Sequence, residues 1–595
     1  MKVVIDFETL DYGIQDGLGP GWPWGACKVL GCGIKIDDSC ARYVTCTQEI
    51  LEICARADVI VAHNAQYEAG ILKMLGVDIK KVTFRCTKLG AKLFNNILPD
   101  LSLEGLSQRF LGEKKKSNKL LEVGGEIGLY EIPDNYEDPD FYTGGDARTV
   151  KRLKTAKKRM MNLVWANLDK IQLSSDIVAE YCIQDVELTA KLDDMWMKEV
   201  GQETYEYYCK LINVSTDMRA KGIRVDIKKT YMVRFELEGK LRPLEKQLWD
   251  QFGNFNYNSP AQVKLWAYNQ LGLRGIKDDE GKESFGKEWV EANKDNEAVA
   301  LFSQIKKTDK MISFCKTIVE HEKHGRIYPQ LNIMQARTGR FSCVNPNVQQ
   351  IPSRDEEMAP LIRSLFLAEE GEVWYSLDFS SQEPRLQIHY AEAIGSGNGK
   401  ALAEKYRKNP RMDLYTEVCE MVKETTGIEI SRKESKIMAL ALSYGMGMEK
   451  GAKALGVSVN KYKKVRNAYF KGASYLKDLN RFCQEQMLAQ RPNGDSGFIY
   501  TVGKRKTYNQ SGYEYKALNS LIQGGAFDQT AAALIKAYYE ADIVPLNTVH
   551  DEINISSSSR KEAETLQNIM ENCININVPS IADIGLGDNW AEAKQ

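Results

Sequence analysis

The sequence predicts a multidomain α/β protein, and three observations support this fold class. The chain has 595 residues, which is too long for one hydrophobic core and predicts about three or four domains. Residues 3–7 and 58–62 are short apolar runs rich in β-branched residues, and the helical patterns that follow them are typical of an α/β layer over the first 195 residues or so. A second apolar strand, VWYSLDF at 373–379, opens another α/β region.

Between these regions the pattern is mainly helical. Residues 200–330 are long, charged and helical in periodicity, with a turn at Asn258-Ser259-Pro260. Helical pattern also follows the strand at 373–379 as far as residue 490, and strand-like segments return at 498–502 and 543–555. The order of elements therefore predicts two α/β regions, each joined to a helical region.

Composition excludes few function classes but favours a soluble cytoplasmic protein. Apolar residues make up 43% and charged residues 27% of the chain, as in ordinary globular proteins. No apolar run approaches the roughly 20 residues that cross a bilayer, and the 13 cysteines form no C-x-x-C pair, so we expect reduced thiols and no membrane association. The net charge is −1, yet basic residues interleaved with tyrosines cluster between Arg432 and Arg481, a pattern typical of phosphate-facing surfaces.

Two aspartates stand at the ends of predicted strands far apart in the chain. Asp378 ends the strand VWYSLDF, and Asp551 follows Val549-His550 within a β-pattern. Such carboxylates face a common point if their strands are neighbours, and oxygen ligands suit Mg²⁺. Taken singly, Asp378 is better explained as a turn residue and Asp551 as a solvated loop carboxylate.

A stripe of four residues lies on one predicted helix. Arg432, Lys436, Leu440 and Tyr444 are spaced by four, so each is displaced by only about 40° from the last. The guanidinium and the ammonium can grip a triphosphate, one as a fork and the other as a point charge. Leu440 and Tyr444 continue the stripe as an apolar surface for a base.

Together, the motifs resemble those of family A DNA polymerases, the DNA polymerase I type. The segment LDFSSQEPR (377–385), the stripe from Arg432 to Tyr444-Gly445 and VHDE (549–552) occur in the family order. Further matches are TGRFS (338–342), NPNVQQIP (345–352), GKRK (503–506), NSLIQGG (519–525) and GDNWAEA (587–593). The resemblance extends over residues 330–595.

The resemblance implies a role for each matching residue. Asp378 and Asp551 are implied metal ligands, with Glu552 as an auxiliary catalytic carboxylate. Glu383 is implied to be a steric gate that occupies the space of a ribose 2′-hydroxyl, and His550 to contact the primer terminus beside the nucleotide. The implied DNA-contacting residues, which include readers of the minor-groove acceptors common to all base pairs, are Arg340, Arg385, Asn519 and Gln523.

The amino-terminal motifs resemble the DEDDy-type 3′–5′ exonuclease that precedes many family A polymerases. Asp6 and Glu8 lie two apart on a predicted strand and so share a face. An N-x-x-[FY]-acid motif ends at Glu68, and a Y-x-x-x-D motif contains Tyr181 and Asp185. The implied chemistry uses the four carboxylates to hold two divalent ions, with Tyr181 orienting the attacking water.

The predicted architecture is an RNase H-like exonuclease domain followed by a right-hand polymerase. We expect the exonuclease domain at 1–195, a helical thumb at 196–335, the palm at 336–392 and 501–595, and the fingers at 393–500. Because the chain begins with the exonuclease strand, no 5′ nuclease domain is expected. The cofactor is expected to be Mg²⁺, two ions per active site, with Mn²⁺ able to substitute.

The expected partners are primer-template DNA and dNTPs, with a helicase and a single-strand-binding protein as replisome partners of a monomer. The expected setting is bacteriophage genome replication in the cytoplasm of the bacterial host.

Two departures from the family pattern bear on activity. Leu440 stands where the family usually has Phe or Tyr, and we expect polymerisation with altered dideoxynucleotide use. Glu68 stands where the family usually has Asp, and we expect an active exonuclease. The basic run Lys114 to Lys116 is expected to be solvent-exposed.

Two other functions remain open at this point. A single-subunit RNA polymerase shares the right-hand palm, although Glu383 and the fused exonuclease argue against it. The second is a non-catalytic DNA-binding scaffold with a degenerate palm. Against it stands the joint retention of four residues, Asp378, Asp551, Arg432 and Lys436. Extension with ribonucleotides alone, or an Asp378→Asn variant with unchanged activity, would favour these alternatives.

Overall fold

A computed structural model describes residues 1–115, 117–131, 147–277, 281–353, 355–443, 446–490 and 496–594. The chain forms two compact units. The first unit consists of Met1–Lys221, Pro329–Asn345 and Ser376–Ile584, and the second of Gly222–Tyr328, Pro346–Tyr375 and Gly585–Gln595. Among the described residues, no helix is both long enough and apolar enough to cross a membrane.

The amino-terminal part of the first unit is built on a five-stranded mixed sheet. Its elements are β1 (Lys2–Asp11), α1 (Tyr12–Gln15), β2 (Cys27–Ile36), β3 (Arg42–Val44), α2 (Thr47–Ala55), β4 (Val59–Ala62), α3 (Gln66–Met74), β5 (Thr83–Cys86), α4 (Thr87–Phe94), α5 (Leu103–Phe110), α6 (Ser117–Glu126), α7 (Ala147–Ala166), α8 (Leu168–Ser174), α9 (Ile177–Trp196) and α10 (Gln202–Lys221). The strand order is β3-β2-β1-β4-β5, with β1 antiparallel to β2 and parallel to β4. The strands predicted at 3–7 and 58–62 are confirmed as β1 and β4.

A glycine on this sheet allows helix α9 to approach closely. Gly33 on β2 is paired with Asp6 on β1, and a Cβ atom at Gly33 would lie 2.9 Å from Cys182 Sγ and 2.8 Å from a methyl group of Val186. A side chain here would therefore push α9 off the sheet. The close packing brings the helix that carries Tyr181 and Asp185 against the strand that carries Asp6.

The middle of the chain is helical, as predicted, with short strands added. Its elements are β6 (Ile223–Val225), α11 (Ile227–Phe252), α12 (Pro260–Asn269), β7 (Ile276–Lys277), β8 (Glu283–Ser284), α13 (Lys287–Ala292), α14 (Glu297–His321), β9 (Arg326–Ile327), β10 (Gln330–Asn332), β11 (Ser342–Val344), α15 (Met358–Arg363) and β12 (Phe366–Leu367). In the second unit β12, β6 and β9 form a three-stranded sheet, and in the first unit β10 pairs with β11.

The carboxyl-terminal part contains a four-stranded sheet and a group of helices. Its elements are β13 (Val373–Phe379), α16 (Gln382–Ala393), α17 (Gly399–Lys408), α18 (Leu414–Thr426), α19 (Arg432–Ser443), α20 (Met448–Leu455), α21 (Val459–Gly472), α22 (Ser474–Ala489), β14 (Ser496–Tyr500), β15 (Lys506–Gln510), α23 (Ala517–Glu540), β16 (Asn547–Val549), β17 (Glu552–Ser557), α24 (Arg560–Asn572) and β18 (Ala582–Gly587). The strand order β16-β17-β13-β18 places β13 beside β17. The strand predicted at 373–379 is confirmed.

The two units divide the chain differently from the predicted modules. Helix α10 falls within the predicted thumb but lies in the first unit, where Tyr208 Oη donates to Asp528 Oδ1 at 2.9 Å and Asn213 Nδ2 donates to the carbonyl oxygen of Ile79 at 2.6 Å. Residues 346–375, predicted as palm, lie in the second unit. The boundaries of thumb, palm and fingers stay a prediction.

Candidate active sites

The first candidate site lies where β13 and β17 meet. Asp378 is on β13, and Asp551 is in the turn before β17, with Phe379 N donating to Asp551 O at 3.2 Å. Burial, together with the nearby Asp378 carboxylate, raises the pKa of Asp551 to about 6. The structure therefore brings together the two aspartates that the sequence separates by more than 170 residues. Partly buried carboxylates that repel each other are a donor set suited to a hard divalent cation.

The turn that carries Asp551 holds His550 in an unusual backbone conformation. Val549 pairs with Glu552 across a two-residue turn, and His550 has φ 60°. Positive φ is uncommon for a residue with a side chain and is concentrated at functional sites. Burial and the nearby Arg340 guanidinium lower the pKa of His550, so a neutral imidazole is presented beside Asp551.

Glu552 is buried behind the aspartate pair. Its Oε1 accepts hydrogen bonds from Ser376 Oγ at 3.0 Å and Asn554 Nδ2 at 2.8 Å, and its side chain is almost inaccessible. These bonds join β17 to β13 just below the turn. Glu552 is thus placed to hold the turn, and its predicted auxiliary catalytic role stays a prediction.

The predicted steric gate and one predicted DNA contact touch each other. Ser381 has φ 55° and ends the turn after β13, which places Glu383 in the first turn of α16. Arg340, between β10 and β11, donates through Nη2 to Glu383 Oε1 at 2.7 Å. Both side chains remain partly exposed. The ion pair therefore restrains the Glu383 carboxylate while leaving it accessible.

A buried ion pair that the sequence analysis did not identify supports these groups. Arg505 Nε donates to Asp528 Oδ1 at 3.1 Å, and both side chains are inaccessible. Arg505 Nη2 also donates to the carbonyl oxygens of Thr338 and Gly524 at 3.3 Å each. A Cβ atom at Gly339 would lie 2.9 Å from that nitrogen. Arg505 lies in the GKRK match and thus joins the TGRFS segment to the QGG segment.

Helix α23 exposes only the predicted residues along its amino-terminal half. Almost every side chain from Ala517 to Tyr538 is buried, but Asn519 and Gln523 are partly accessible. They are four residues apart, so they lie one above the other on the same face. Both side chains can therefore be reached from solvent, and their predicted contact with the DNA minor groove stays a prediction.

Helix α19 presents its predicted stripe to solvent. Arg432 and Lys436 are exposed and Leu440 is half-buried. The opposite face packs into a core through Met438, Ala439 and Leu442. The fourth member of the stripe, Tyr444, and the following Gly445 lie outside the described residues.

Arg432 is held by a carboxylate at the end of the neighbouring helix. Its Nε and Nη2 donate to Asp413 Oδ2 at 2.8 and 2.5 Å. The other oxygen, Asp413 Oδ1, accepts from Thr416 N at 3.0 Å and caps α18. The guanidinium predicted to grip a triphosphate is thus engaged by an anion of the protein itself.

Arg385 does not occupy a DNA-accessible position. Its guanidinium donates to the carbonyl oxygens of Ser380, Pro579 and Pro410 at 2.7, 2.5 and 2.7 Å, and its side chain is buried. These carbonyls occupy donors on all three guanidinium nitrogens, which argues against the predicted DNA contact. Arg385 instead braces the turn after β13.

The second candidate site lies on the five-stranded sheet of the first unit. Glu8 and Asp6 project from β1, and ligand atoms of Asp6, Glu8 and Cys182 lie within 4.8 Å of one another. Burial and the nearby Asp185 carboxylate raise the pKa of Asp6 to about 7. Burial and the Asp6 carboxylate also raise the pKa values of Glu8 and Glu68. The structure therefore brings together the predicted exonuclease carboxylates from β1, α3 and α9.

Two buried oxygen atoms indicate what this cluster can bind. Within the described residues, Glu68 Oε2 and Asp185 Oδ1 are buried and have no hydrogen-bond partner. Such oxygens are costly unless a cation or donor satisfies them, and hard carboxylate oxygens suit Mg²⁺. Cys182 Sγ donates to the main-chain oxygen of Asp6 at 3.2 Å and, as a soft donor, is not expected to bind that ion.

The expectation that Lys115 is solvent-exposed is wrong. Lys115 Nζ donates to Tyr181 Oη at 2.7 Å and forms an ion pair with Asp185 Oδ2. The ammonium lies 4.5 Å from the centroid of the Tyr181 ring, and the side chain is 10% exposed. Lys114 is exposed, as expected, and Lys116 lies outside the described residues. Lys115 is thus a member of the second site that local sequence did not distinguish from its neighbours.

Comparisons with known proteins identify the family of the chain. Residues 228–592 match the family model described as DNA polymerase family A. A DNA-directed DNA polymerase of Pseudomonas phage M6 is 25% identical, and the match covers 100% of this chain and 94% of the relative. The DNA polymerase DpoZ of Vibrio phage phiVC8 is 27% identical, with 99% and 97% covered.

A solved structure shows the same fold. The POL domain of Pol1 from M. smegmatis, in complex with DNA primer-template and dNTP, matches with a TM-score of 0.77 and 18% identity, over 100% of this chain and 96% of that one. The family model covers more than half of the chain and includes both Asp378 and Asp551. The chain therefore belongs to DNA polymerase family A and is a DNA-directed DNA polymerase.

Proposed function

We propose that this polymerase adds dNTPs to a primer 3′ end at Asp378 and Asp551, and that it removes 3′-terminal nucleotides at a separate proofreading site in its amino-terminal part. The observation that carries the proposal is the presence of two carboxylate clusters in one chain. One lies between β13 and β17 and the other on β1, α3 and α9. The primer-template and dNTP bound in the M. smegmatis structure support the same ligands for this chain.

In DNA synthesis, Asp378 and Asp551 would hold the divalent cations. When bound, two Mg²⁺ ions activate the primer 3′-hydroxyl and neutralise charge on the triphosphate. Arg432 and Lys436 are proposed to bind the triphosphate from the exposed face of α19. Glu383, held by Arg340, would occupy the space that a ribose 2′-hydroxyl needs.

The remaining groups of the first site are proposed to contact DNA. Asn519 and Gln523, exposed together on α23, can donate to the minor-groove acceptors shared by all base pairs. The imidazole of His550, in the turn beside Asp551, is proposed to contact the primer terminus. Contacts of this kind test the shape of the base pair without reading its sequence.

In excision, Asp6, Glu8, Glu68 and Asp185 would hold the divalent cations. Tyr181, whose hydroxyl lies beside Asp185, is proposed to orient the water that attacks the terminal phosphodiester. Glu68 lies in the first turn of α3, and burial together with the nearby Asp6 carboxylate raises its pKa. A Glu in place of the usual Asp is therefore compatible with an active site.

The setting that we propose is the replication of a bacteriophage genome in the host cytoplasm. The support is that two phage DNA polymerases match this chain over nearly their whole lengths. A monomer working with a helicase and a single-strand-binding protein fits this role.

Two assays on the purified chain with Mg²⁺ test the proposal. We expect extension of a primed template with dNTPs and no extension with ribonucleotides alone. We also expect a 3′-labelled single-stranded oligonucleotide to release labelled mononucleotide. An oligonucleotide that stays intact while the primer is extended would exclude the proofreading activity, and extension with ribonucleotides would exclude the steric gate.

Replacing Leu440 with Phe is expected to change nucleotide selection. A ring on the exposed stripe of α19 would stack on the incoming base, which is worth about 1 kcal/mol and lowers the KM for dNTPs roughly five-fold. The ratio of dideoxynucleotide to deoxynucleotide incorporation should shift as well. Leu440→Met, which adds no ring, is the matched control. Identical KM values and terminator incorporation in all three proteins would contradict a contact between Leu440 and the nucleotide.

Replacing Asp413 with Asn is expected to tighten dNTP binding. Arg432 must leave Asp413 before it can bind a triphosphate, and an exposed pair of this kind is worth about 0.5 kcal/mol, or roughly a two-fold fall in KM. Asn retains the cap of α18, because it serves that position as well as Asp does. Glu417→Gln, which removes a carboxylate from the same helical turn where it pairs with Lys405, should leave KM unchanged. A KM that stays the same or rises in Asp413→Asn would contradict the competition.

A further inference from the structure

Lys115 occupies the wall of a cavity that reaches the second site. The cavity has a volume of about 620 Å³, and its lining includes Asp6, Asp185 and Lys115 together with Lys88 and Lys92. A lining that combines carboxylates with ammonium groups suits a ligand that carries phosphates and approaches a cation site. Of the three lysines, only Lys115 contacts the carboxylates directly.

We propose that Lys115 is an internal counter-cation of the exonuclease site that exchanges partners during the reaction. Without a divalent cation its ammonium neutralises Asp185 and competes with the metal ion for that carboxylate. With the cation bound, the same ammonium binds a phosphate of the DNA strand in the cavity. This inference rests on the proposed exonuclease activity and extends it by one positioning residue.

The competition follows from the different contacts of the two carboxylate oxygens of Asp185. Oδ2 is paired with Lys115, whereas Oδ1 is buried and has no hydrogen-bond partner within the described residues. A positive charge already paired with a carboxylate weakens the attraction of that carboxylate for a second cation. Lys115 therefore lowers the affinity of Asp185 for the metal ion.

The geometry allows Lys115 to move without unfolding its segment. It lies between α5 and α6, where the backbone is not helical, and Gln184 on α9 holds that backbone by donating to the carbonyl oxygen of Lys114 at 3.1 Å. A flexible four-carbon stem can then carry the ammonium from Asp185 into the cavity. Movement of the side chain alone is enough to exchange the carboxylate for a phosphate.

A purely structural ion pair would behave differently on substitution. Removing one partner of a buried pair leaves the other uncompensated, so a structural Lys115 would be expected to support the metal ligands and its loss to disorder them. Metal binding and excision would then weaken together. If Lys115 exchanges partners, its loss should instead strengthen metal binding and slow excision.

The test compares Lys115→Met with the parent protein in two measurements. Mn²⁺ binding is titrated by electron paramagnetic resonance in an Asp551→Asn background, which weakens the polymerase metal site in both proteins. We expect Lys115→Met to bind Mn²⁺ several-fold more tightly, because the competing charge is gone. Excision of a 3′-labelled single-stranded oligonucleotide at saturating Mg²⁺ should fall about tenfold in kcat, because a charge-assisted contact to phosphate is lost.

Three comparisons make the outcome decisive. Lys114→Met removes the same charge from the exposed neighbour and should change neither quantity, and Lys115→Arg should restore part of the excision rate that Met abolishes. Primer extension by Lys115→Met, with Asp551 intact, reports whether that variant is folded. If Lys115→Met has lost primer extension, the variant Lys115→Gln is used in its place. If the parent protein excises nothing, the proposed exonuclease fails and the Mn²⁺ titration alone decides the competition. Equal or weaker Mn²⁺ binding, or an unchanged excision rate beside an active parent, would overturn the inference.

Discussion

Replacing Asp551 with Asn is expected to reduce primer extension by a factor on the order of 10³, because the loss of a metal-binding carboxylate removes roughly 4 kcal/mol of transition-state stabilisation. The amide has nearly the shape of the carboxylate but no charge to bind a divalent cation. Release of nucleotides from a 3′ end should persist, since that chemistry is proposed to use Asp6 and its neighbours. Steady-state rates of both reactions on the same preparation check the prediction.

The same substitution should not destabilise the protein. Burial and Asp378 raise the pKa of Asp551 to about 6, so above that pH the ionised carboxylate is less favourable in the folded state than in the unfolded one. Replacement by the neutral amide removes this cost, and the melting temperature in EDTA at pH 8 should stay the same or rise. Asp583→Asn, at a half-exposed position on β18, is the control for a carboxylate lost elsewhere in the sheet. Full extension activity in Asp551→Asn would contradict its assignment as a metal ligand.

Replacing Glu68 with Gln is expected to lower excision by a similar factor, on the order of 10³. Glu68 is buried on α3, and its Oε2 has no hydrogen-bond partner among the described residues. Burial raises the pKa of this carboxyl, so the amide should be tolerated by the fold. Release of mononucleotide from a labelled single strand measures the effect, and primer extension provides the internal control.

The shorter carboxylate gives the matched variant. Glu68→Asp retains a hard oxygen ligand with the side-chain length usual in the family, so excision should stay within about tenfold of the parent rate. Loss of excision in Glu68→Gln, together with retained excision in Glu68→Asp, would assign the effect to the carboxylate. Excision by Glu68→Gln at the parent rate would contradict the role of Glu68 in the site.

Local sequence predicted the elements that have strong periodicity. The β-branched runs at β1, β4 and β13 and the long amphipathic patterns of α11 and α14 indicate strands and helices without tertiary information. The attachment of α10 to the first unit could not be predicted in this way. It depends on Tyr208 meeting Asp528, 320 residues away in the chain, and such pairing leaves no local periodicity.

The difference between local sequence pattern and long-range packing also separates the site residues that were predicted from those that were missed. Asp378, Asp551 and Glu68 lie in motifs whose order along the chain carries information. Lys115 lies in a run of three lysines with the same local character, and only the packing of α9 selects it. Arg385 shows the converse, because its motif suggested a ligand contact whereas three carbonyl oxygens surround its guanidinium.

The most direct measurement follows one 5′-labelled primer with a mispaired 3′ end, annealed to a template with Mg²⁺ and all four dNTPs. We expect the parent protein to shorten the primer first and then to extend it fully. Asp551→Asn should only shorten it, and Asp6→Ala should leave the mispair in place or extend it slowly without prior shortening. These three patterns would show that two reactions use two separate sites. Loss of both shortening and extension in either single variant, in a protein with the parent melting temperature, would contradict that division.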